Sequence, residues 1–269
     1  MASYTSTQTG ALTDPSTWGE TTRYPGDGVD ASDTFTINTG HTVTHSSGNS
    51  VSNVSGTVIG VLHILGSMIL DGNLTISETG VIEVQGGGNL DINGNNIDDD
   101  TTGGNKTLTL NGTELNRAVI RDSVGGGRLL VGNNWHFTPI NWQYGDIQNL
   151  TGDHVFYMGT DVVINHCTFT DSGVLELRLA NVGTGIGYSI TNSDFYGDGS
   201  LNSRRVLYIR DYYDQSSPAT RVVDHCLFMS ALNGHEIFMY FDNYTFRNCV
   251  FINSKLYNVG INFIIEDCA

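Results

Sequence analysis

The sequence is poor in proline, in basic residues and in any periodicity that would support helices. It has 4 Pro against 33 Gly in 269 residues, and no long run places apolar residues at helical spacing without an interrupting glycine. We therefore expect almost no helix and many short strands joined by tight turns. With 12 basic against 28 acidic residues and a formal net charge of −16, the chain also lacks the basic footprint that a nucleic-acid partner requires.

A recognisable leader and long hydrophobic runs are absent as well. Residues 1–5 are polar and lack the basic start and apolar core of a signal peptide. The apolar run at 58–70 is interrupted by Gly60, His63 and Gly66 and is too short to span a bilayer. The sequence thus predicts neither a signal peptide nor membrane insertion.

What the sequence does contain is a set of near-repeats at 163–169, 189–195, 222–228, 245–251 and 264–268. Each copy reads apolar residue, any residue, turn-former, Cys or Ser, and, in the complete copies, any residue and Phe. The alternation has period two, which indicates strands, with Ile164, Cys167 and Phe169 facing inward in the first copy. One extra residue between two inward positions predicts a corner, and Asn and Asp tolerate the left-handed backbone that corners need. The predicted corner residues are His166, Asn192, His225, Asn248 and Asp267.

The spacing of the repeats is that of stacked coils. Weaker copies at 142–147 and 120–124 put the small inward residues at 123, 145, 167, 193, 226, 249 and 268, in steps of 19 to 33 residues. Strand repeats of this size indicate a solenoid. Residues 118–269 thus resemble the right-handed parallel β-helix of pectate lyases and phage tailspikes. The resemblance implies an all-β fold but no activity, because this architecture hosts lyases, hydrolases, adhesins and inert virion parts.

A second pattern occupies residues 18–94. It runs Trp, Pro-Gly-Asp, Ile-x-x-Gly-His-x-Val, Leu-x-Ile-x-Gly and Ile-x-Val-x-x-Gly-Gly-x-Leu, and it resembles the eight-glycine domain. We therefore expect an N-terminal arm or cap at 1–17, an eight-glycine-like β-helical module at 18–107 and the main coils at 108–269. A disordered tail is the alternative for 1–17. The half-built last coil predicts that the natural chain continues past Ala269, or that a partner or a second copy covers its open apolar end.

Metal and thiol chemistry is weakly indicated. Residues 93–107 are interpreted as a polar loop in which Asp98, Asp99 and Asp100 offer oxygens for Ca²⁺, but the spacing is not that of an EF-hand and favours a solvated turn. No other cofactor or metal is expected, and the corner histidines are interpreted as structural. The four cysteines form no C-x-x-C pair and are interpreted as small buried hydrophobes, with disulfides between neighbouring coils left open.

The strand after each Cys strand carries the candidate site. Residues 174–179, 206–213 and 236–242 alternate polar and apolar side chains, so their polar positions would align on coils about 4.8 Å apart. Aromatics and Arg in such a stripe suit a glycan groove, a trimer interface or a plain solvated face. The candidate glycan-binding or interface residues are Arg178, Tyr208, Arg210, Tyr212, Phe238 and Tyr240, with Glu176 aligned beside Tyr208 and Phe238.

Glycan cleavage is the chemistry that this stripe could support. Hydrolysis needs two carboxylates about 5 to 9.5 Å apart, and a β-elimination lyase needs a base, for which Arg210 is the candidate. No serine triad, phosphate loop or zinc motif is present. The candidate catalytic residues are Glu176, Arg210, Asp211, Glu236 and Asp242.

Composition and resemblance together lead to a functional hypothesis. An acidic β-helix rich in Gly, Asn and Thr works outside cells, yet no export signal is visible; a virion protein released by lysis reconciles the two. We expect a structural or receptor-facing bacteriophage component, such as a tail spike, tail fibre or capsid decoration. Its expected partners are two further copies in a homotrimer, other virion proteins and host surface polysaccharide. The alternatives are a polysaccharide-degrading lyase or glycoside hydrolase and a bacterial surface adhesin.

Overall fold

The computed structural model describes residues 2–25, 34–46, 57–58, 61–76, 80–99, 106–131, 140–151, 154–158, 162–172, 175–179, 187–197, 205–211, 221–230, 235–240, 244–258 and 263–269. Within them the chain is a right-handed parallel β-helix, as the repeats predict. The described helical structure is one four-residue 3₁₀-helix, Pro15–Trp18. No helix in the described part of the chain is long and apolar enough to cross a membrane.

Thirty strands are found in the described residues. They are β1 (Ser3–Thr5), β2 (Gly10–Ala11), β3 (Thr34–Ile37), β4 (Thr42–Ser46), β5 (Thr57–Val58), β6 (Val61–Ile64), β7 (Ser67–Asp71), β8 (Leu74–Ile76), β9 (Val81–Gln85), β10 (Asn89–Asp91), β11 (Asn96–Asp99), β12 (Thr107–Asn111), β13 (Ala118–Arg121), β14 (Arg128–Val131), β15 (Ile140–Gln143), β16 (Gly145–Gln148), β17 (His154–Met158), β18 (Val162–Asn165), β19 (Thr168–Thr170), β20 (Leu175–Leu179), β21 (Tyr188–Thr191), β22 (Asp194–Gly197), β23 (Arg205–Asp211), β24 (Arg221–Asp224), β25 (Leu227–Ser230), β26 (His235–Tyr240), β27 (Thr245–Arg247), β28 (Val250–Ile252), β29 (Ser254–Asn258) and β30 (Ile264–Glu266).

The strands form three parallel sheets that each coil visits in turn. Sheet A runs from β1 through β3 and every third strand to β30; sheet B runs from β2 through β4 and every third strand to β28; sheet C runs from β5 to β29 in the same way. In the first coil the 3₁₀-helix follows the sheet B strand β2, and Tyr4, Leu12 and Trp18 of this coil are buried. Each coil is therefore one triangular layer of a continuous core.

The core is built from columns of identical or similar side chains. Ile164, Cys167 and Phe169 are buried, as predicted. The Phe column continues through Phe195 and Phe228, with ring centroids 4.6 and 4.8 Å apart and planes within 4 and 10° of parallel. The parallel register that puts like residues on like makes this stacking possible, and the stacked rings add to the burial energy.

Two columns of left-handed residues form the corners. The corner from sheet A to sheet B has positive φ at His166, Asn192, His225, Asn248 and Asp267, between 50 and 53°, and this confirms the predicted column. Tyr144 extends it, with φ 48°. The corner from sheet B to sheet C has a second column that the sequence reading missed, at Asn93, Asn149, Asp171 and Asn253.

The register predicted upstream of residue 140 is wrong. Gly145 lies beside Ala118, and Ile120 lies beside Ile147 in sheet B rather than beside Trp142 in sheet A. Ser123 is an exposed turn residue, not an inward one. The reason is local: the buried Asp122 carboxylate accepts hydrogen bonds from the backbone N–H groups of Gly94, Val124, Gly125 and Gly127 at 2.7 to 3.1 Å and fixes a turn there.

The polar loop predicted at 93–107 is also partly wrong. Residues Asn96–Asp99 form β11, which pairs with β8 and β14 in sheet C. Ile97 is buried in the core at the centre of this strand. One apolar side chain among polar neighbours is enough for a strand here, because the adjacent coils supply the pairing edges on both sides.

Candidate functional site

The stripe predicted on sheet C is aligned at the backbone. Strands β20, β23 and β26 are in parallel register, with one irregularity between Arg205 and Leu207. Tyr212 and Asp242 lie outside the described residues. The aligned columns are Glu176–Tyr208–Phe238 and Arg178–Arg210–Tyr240.

The alternate positions of the same strands supply the core. Leu175, Leu177, Leu207 and Ile209 are buried as the alternation predicts. Glu176 departs from the expectation of an outward, solvated residue, since it is only 8% exposed. Its carboxylate is thus largely covered by the protein and offers little surface to a polymer in solution.

The candidate catalytic carboxylates are not opposite one another. Glu236 is paired with Arg205 and Lys255 on the neighbouring strands. It lies two strands away from Glu176 and two residues before Phe238, which is the residue in register with Glu176. Strand spacing and rise put these two backbone positions roughly 12 Å apart. Asp211 is paired with Leu179, so Asp211 and Glu176 occupy opposite phases of the strand alternation. The described strands therefore do not place the pair that hydrolysis needs at adjacent positions.

The predicted calcium ligands fall on β11 and beyond it. The Asp98 carboxylate is 3.8 Å from the Arg128 guanidinium; burial raises the pKa of Asp98, and the charge of Arg128 opposes that rise. Asp100 lies outside the described residues. Among the residues the structure describes, no group of three His, Cys, Asp or Glu could hold a metal ion. Calcium binding by Asp98, Asp99 and Asp100 stays a prediction.

The cysteines are free thiols. Cys167, Cys226 and Cys249 are buried in the inward column, and Cys268 is partly exposed. Burial raises the pKa of Cys167 to about 11, which keeps the thiol protonated and unreactive near neutral pH. Their interpretation as small buried hydrophobes therefore agrees with the structure for these three residues.

The structure adds a cleft of about 320 Å³ that the sequence reading missed. It lies outside the corner between sheets A and B. It is lined by Tyr144 in the corner after β15, by His166 in the corner after β18 and by Thr168 on β19. The next coil contributes Asn192 and Asp194. Glu114 and Arg117 complete the lining.

A change in corner length builds this cleft. The connection from β12 to β13 has six residues, 112–117, whereas Tyr144 alone joins β15 to β16. Leu115 in the longer connection is 92% exposed, so this connection stands away from the core. The cleft lies where the long corner meets the short ones that follow it.

The Arg117 side chain ties its own coil to the next two coils. Its Nε donates to Asp146 Oδ1 at 2.7 Å, and its Nη2 donates to the carbonyl oxygens of Gly145 and His166 at 3.0 and 2.9 Å and to Thr168 Oγ1 at 3.1 Å. Four charge-assisted hydrogen bonds together hold the Arg117 guanidinium in one geometry. The wall is therefore rigid.

The remaining lining residues are also fixed. The Tyr144 and His166 rings stack with centroids 4.5 Å apart and planes within 6°. The Tyr196 hydroxyl donates to Asp194 Oδ2 at 3.2 Å, and Asn192 Nδ2 donates to Asn165 Oδ1 at 3.0 Å. Burial, together with the Asp194 charge, raises the pKa of Tyr196, so its hydroxyl stays protonated and keeps donating to that carboxylate.

Part of this cleft could have been found from the sequence. Tyr144 fits the repeat template one step before His166, so two aromatic rings at consecutive corners were readable. The long corner at 112–117 does not follow from the sequence, because the repeat template places Ser123, and not Ala118, at the inward position.

No protein-family model matches this chain, and no curated protein matches it significantly. Its function is therefore argued from its own geometry.

Proposed function

We propose that the chain is a receptor-facing structural component of a bacteriophage virion that binds glycans on the host surface. The observation that carries this proposal is the register of sheet C, where aromatic and arginine positions align over three consecutive coils. Aligned aromatic and arginine residues suit the apolar faces and hydroxyls of a sugar chain.

The rigidity of the scaffold supports recognition. The stripe residues within the described part of the chain lie on strands that are paired on both sides and that pack on a core of buried Leu and Ile side chains. Sites on such elements hold their geometry better than sites on loops. A rigid surface loses little conformational entropy on binding, which favours recognition of a long polymer.

The burial of the Glu176 side chain favours binding over cleavage. Glu176 and Glu236 are roughly two strand spacings apart in register, and Glu176 is largely covered. The virion context rests on the resemblance to tailspike β-helices and on an acidic surface that disfavours nucleic acid and anionic membranes. Assembly of the chain into a homotrimer is part of the same proposal.

Light scattering with polysaccharide tests this proposal. We expect the purified chain to be a trimer that retains polysaccharide and leaves its chain length unchanged. The double variant Tyr208→Ala, Phe238→Ala should bind about thirtyfold more weakly, since each of the two rings contributes on the order of 1 kcal/mol. The variant Thr75→Ala on β8 of the same sheet is the matched control and should bind as the unchanged protein does.

Three other results would contradict the proposal in different ways. A monomer that shortens the polysaccharide would indicate an enzyme. A double variant that dissociates into monomers but binds polysaccharide normally would assign the stripe to the subunit interface. A trimer that does not bind polysaccharide would contradict glycan binding, and only the structural role would remain.

A further inference from the structure

The corner cleft has the size and shape of a small-ligand site. Its volume of about 320 Å³ lies at the lower end of the range for such sites, which suits one or two sugar rings. It is lined by half-buried aromatic rings and by carboxylate, amide and guanidinium groups. That mixture of a flat apolar surface with a few fixed polar groups is typical of ligand sites.

Backbone strain points to the same place. In the corner column from sheet A to sheet B, Asn192, Asn248 and Asp267 are residue types that adopt positive φ readily, whereas Tyr144 is not, and its φ is 48°. Strained residues that persist in a fold are concentrated at functional sites. Here the strained residue, Tyr144, lines the cleft and stacks on His166. A role of its ring in binding a ligand would explain why a tyrosine occupies this strained corner position.

The polar groups of the cleft are suited to hydroxyls. The Asp194 and Glu114 carboxylates are acceptors, and the Asn192 amide offers donors and an acceptor. Asp194 is oriented by Tyr196 and Asn192 by Asn165, so both are set before a ligand arrives. A sugar ring can pack an apolar face on the Tyr144–His166 stack while its hydroxyls donate to carboxylates and accept from the amide.

The charge balance of the cleft selects the kind of sugar. Two carboxylates, Glu114 and Asp194, line the cleft, and the one guanidinium in its lining, that of Arg117, is already paired with Asp146. The whole chain carries a net charge of −16. An acidic sugar would therefore meet like charge both nearby and at long range, and it would be disfavoured.

We infer that this corner cleft binds one or two residues of a neutral glycan through the Tyr144–His166 stack and the Asp194 carboxylate. The inference rests on the proposed function and deepens it: it names neutral polysaccharide as the ligand class and adds a site on a different face from the sheet C stripe.

Affinity electrophoresis tests the inference with dextran, a mannan and a galactan as neutral probes and polygalacturonate as the acidic probe. At least one neutral probe should retard the unchanged protein, and polygalacturonate should not. The variants Tyr144→Asn, His166→Asn and Asp194→Asn should each bind that neutral probe about tenfold more weakly, since each removes one contact of the size of a charged hydrogen bond or a ring contact.

His225→Asn is the matched control. His225 occupies the same corner column with the same φ of 53° but does not line the cleft, so its variant should bind normally. Asn is native at two positions of this column, which makes it compatible with the backbone there. Thermal unfolding of each variant separates lost affinity from lost folding.

Each remaining outcome is decisive. Neutral binding that all three cleft variants retain would overturn the cleft site and leave the proposed glycan recognition intact. Binding of polygalacturonate alone would overturn the neutral class but not glycan recognition. Retardation by none of the four probes would overturn both.

Discussion

At the scale of single residues, the fold depends on left-handed corners. The corner residues at Asn192, Asn248 and Asp267 have φ of 50 to 52°, where most side chains incur a cost of about 1 to 2 kcal/mol and Asn, Asp and Gly incur less. Asn248 also donates from Nδ2 to Asp224 Oδ1 at 3.0 Å. Backbone conformation and side-chain bonding thus favour the same residue type at this position.

The corner at Asn248 gives a direct test. We expect Asn248→Val to lower the free energy of unfolding by about 1 to 2 kcal/mol more than Asn248→Gly does, because both lose the bond to Asp224 but only valine resists positive φ. Denaturant titration of the two variants measures this difference. Equal stability of the two would show that the left-handed backbone is not what selects asparagine here.

At the scale of elements, polar ladders join neighbouring strands. The Asp224 carboxylate at the end of β24 accepts from Arg247 Nε at 2.8 Å and from Asn248 Nδ2 at 3.0 Å, and its Oδ1 lies 2.7 Å from His225 Nδ1. Burial alone would raise the pKa of Asp224, but these donors and charges outweigh it and hold the pKa below 3.8. The ionised carboxylate therefore stabilises the attachment of β27 to β24.

Acid should weaken this ladder. Because the folded pKa is lowered, the stabilisation by Asp224 is present in full above the unfolded value of 3.8 and is lost as pH falls through the lower folded value. We expect Asp224→Asn to be less stable than the unchanged protein at pH 7 and to lose less stability between about pH 5 and pH 2. Thermal unfolding across this range checks it, and parallel pH profiles for the two proteins would contradict it.

At the scale of the whole molecule, charge and apolar surface act against each other. The net charge is −16, yet Val250, Ile252 and Ile264 on the last coils are 41 to 49% exposed. Val250 and Ile252 lie in register with Leu227 and Met229, so a small apolar patch covers this part of sheet B. Self-repulsion opposes the association that such a patch favours.

Salt should shift that balance toward association. At about 500 mM NaCl the repulsion is screened over a few ångströms, whereas at about 10 mM it reaches roughly 30 Å. We expect the mass measured by light scattering to rise with salt and the rise to be much smaller for Val250→Lys, Ile252→Lys. The variant Thr170→Lys, three coils earlier in the same outward column as Ile252, is the control. A rise of equal size in all three proteins would rule out the patch as the contact.

The candidate site could be predicted from the sequence only in part. The columns Glu176–Tyr208–Phe238 and Arg178–Arg210–Tyr240 followed from period two alone, because a parallel coil stack aligns equivalent positions. The burial of Glu176 did not follow, since it depends on what packs over the strand. The cleft did not follow either, because a corner of six residues and a corner of one look alike until the register is known.

The kind of fold, the corner column between sheets A and B and the inward columns after residue 140 follow from the sequence alone. Alternation, turn-forming residues and a repeated small side chain can be recognised in short stretches of sequence. They are enough to indicate a solenoid because each coil packs only against its neighbouring coils. The tertiary structure alone decided the register near Ile120, the strand at Asn96–Asp99 and the cleft beside Tyr144. Sheets A and B share one apolar period, so local pattern cannot say to which of them a strand belongs; only pairing between coils settles it.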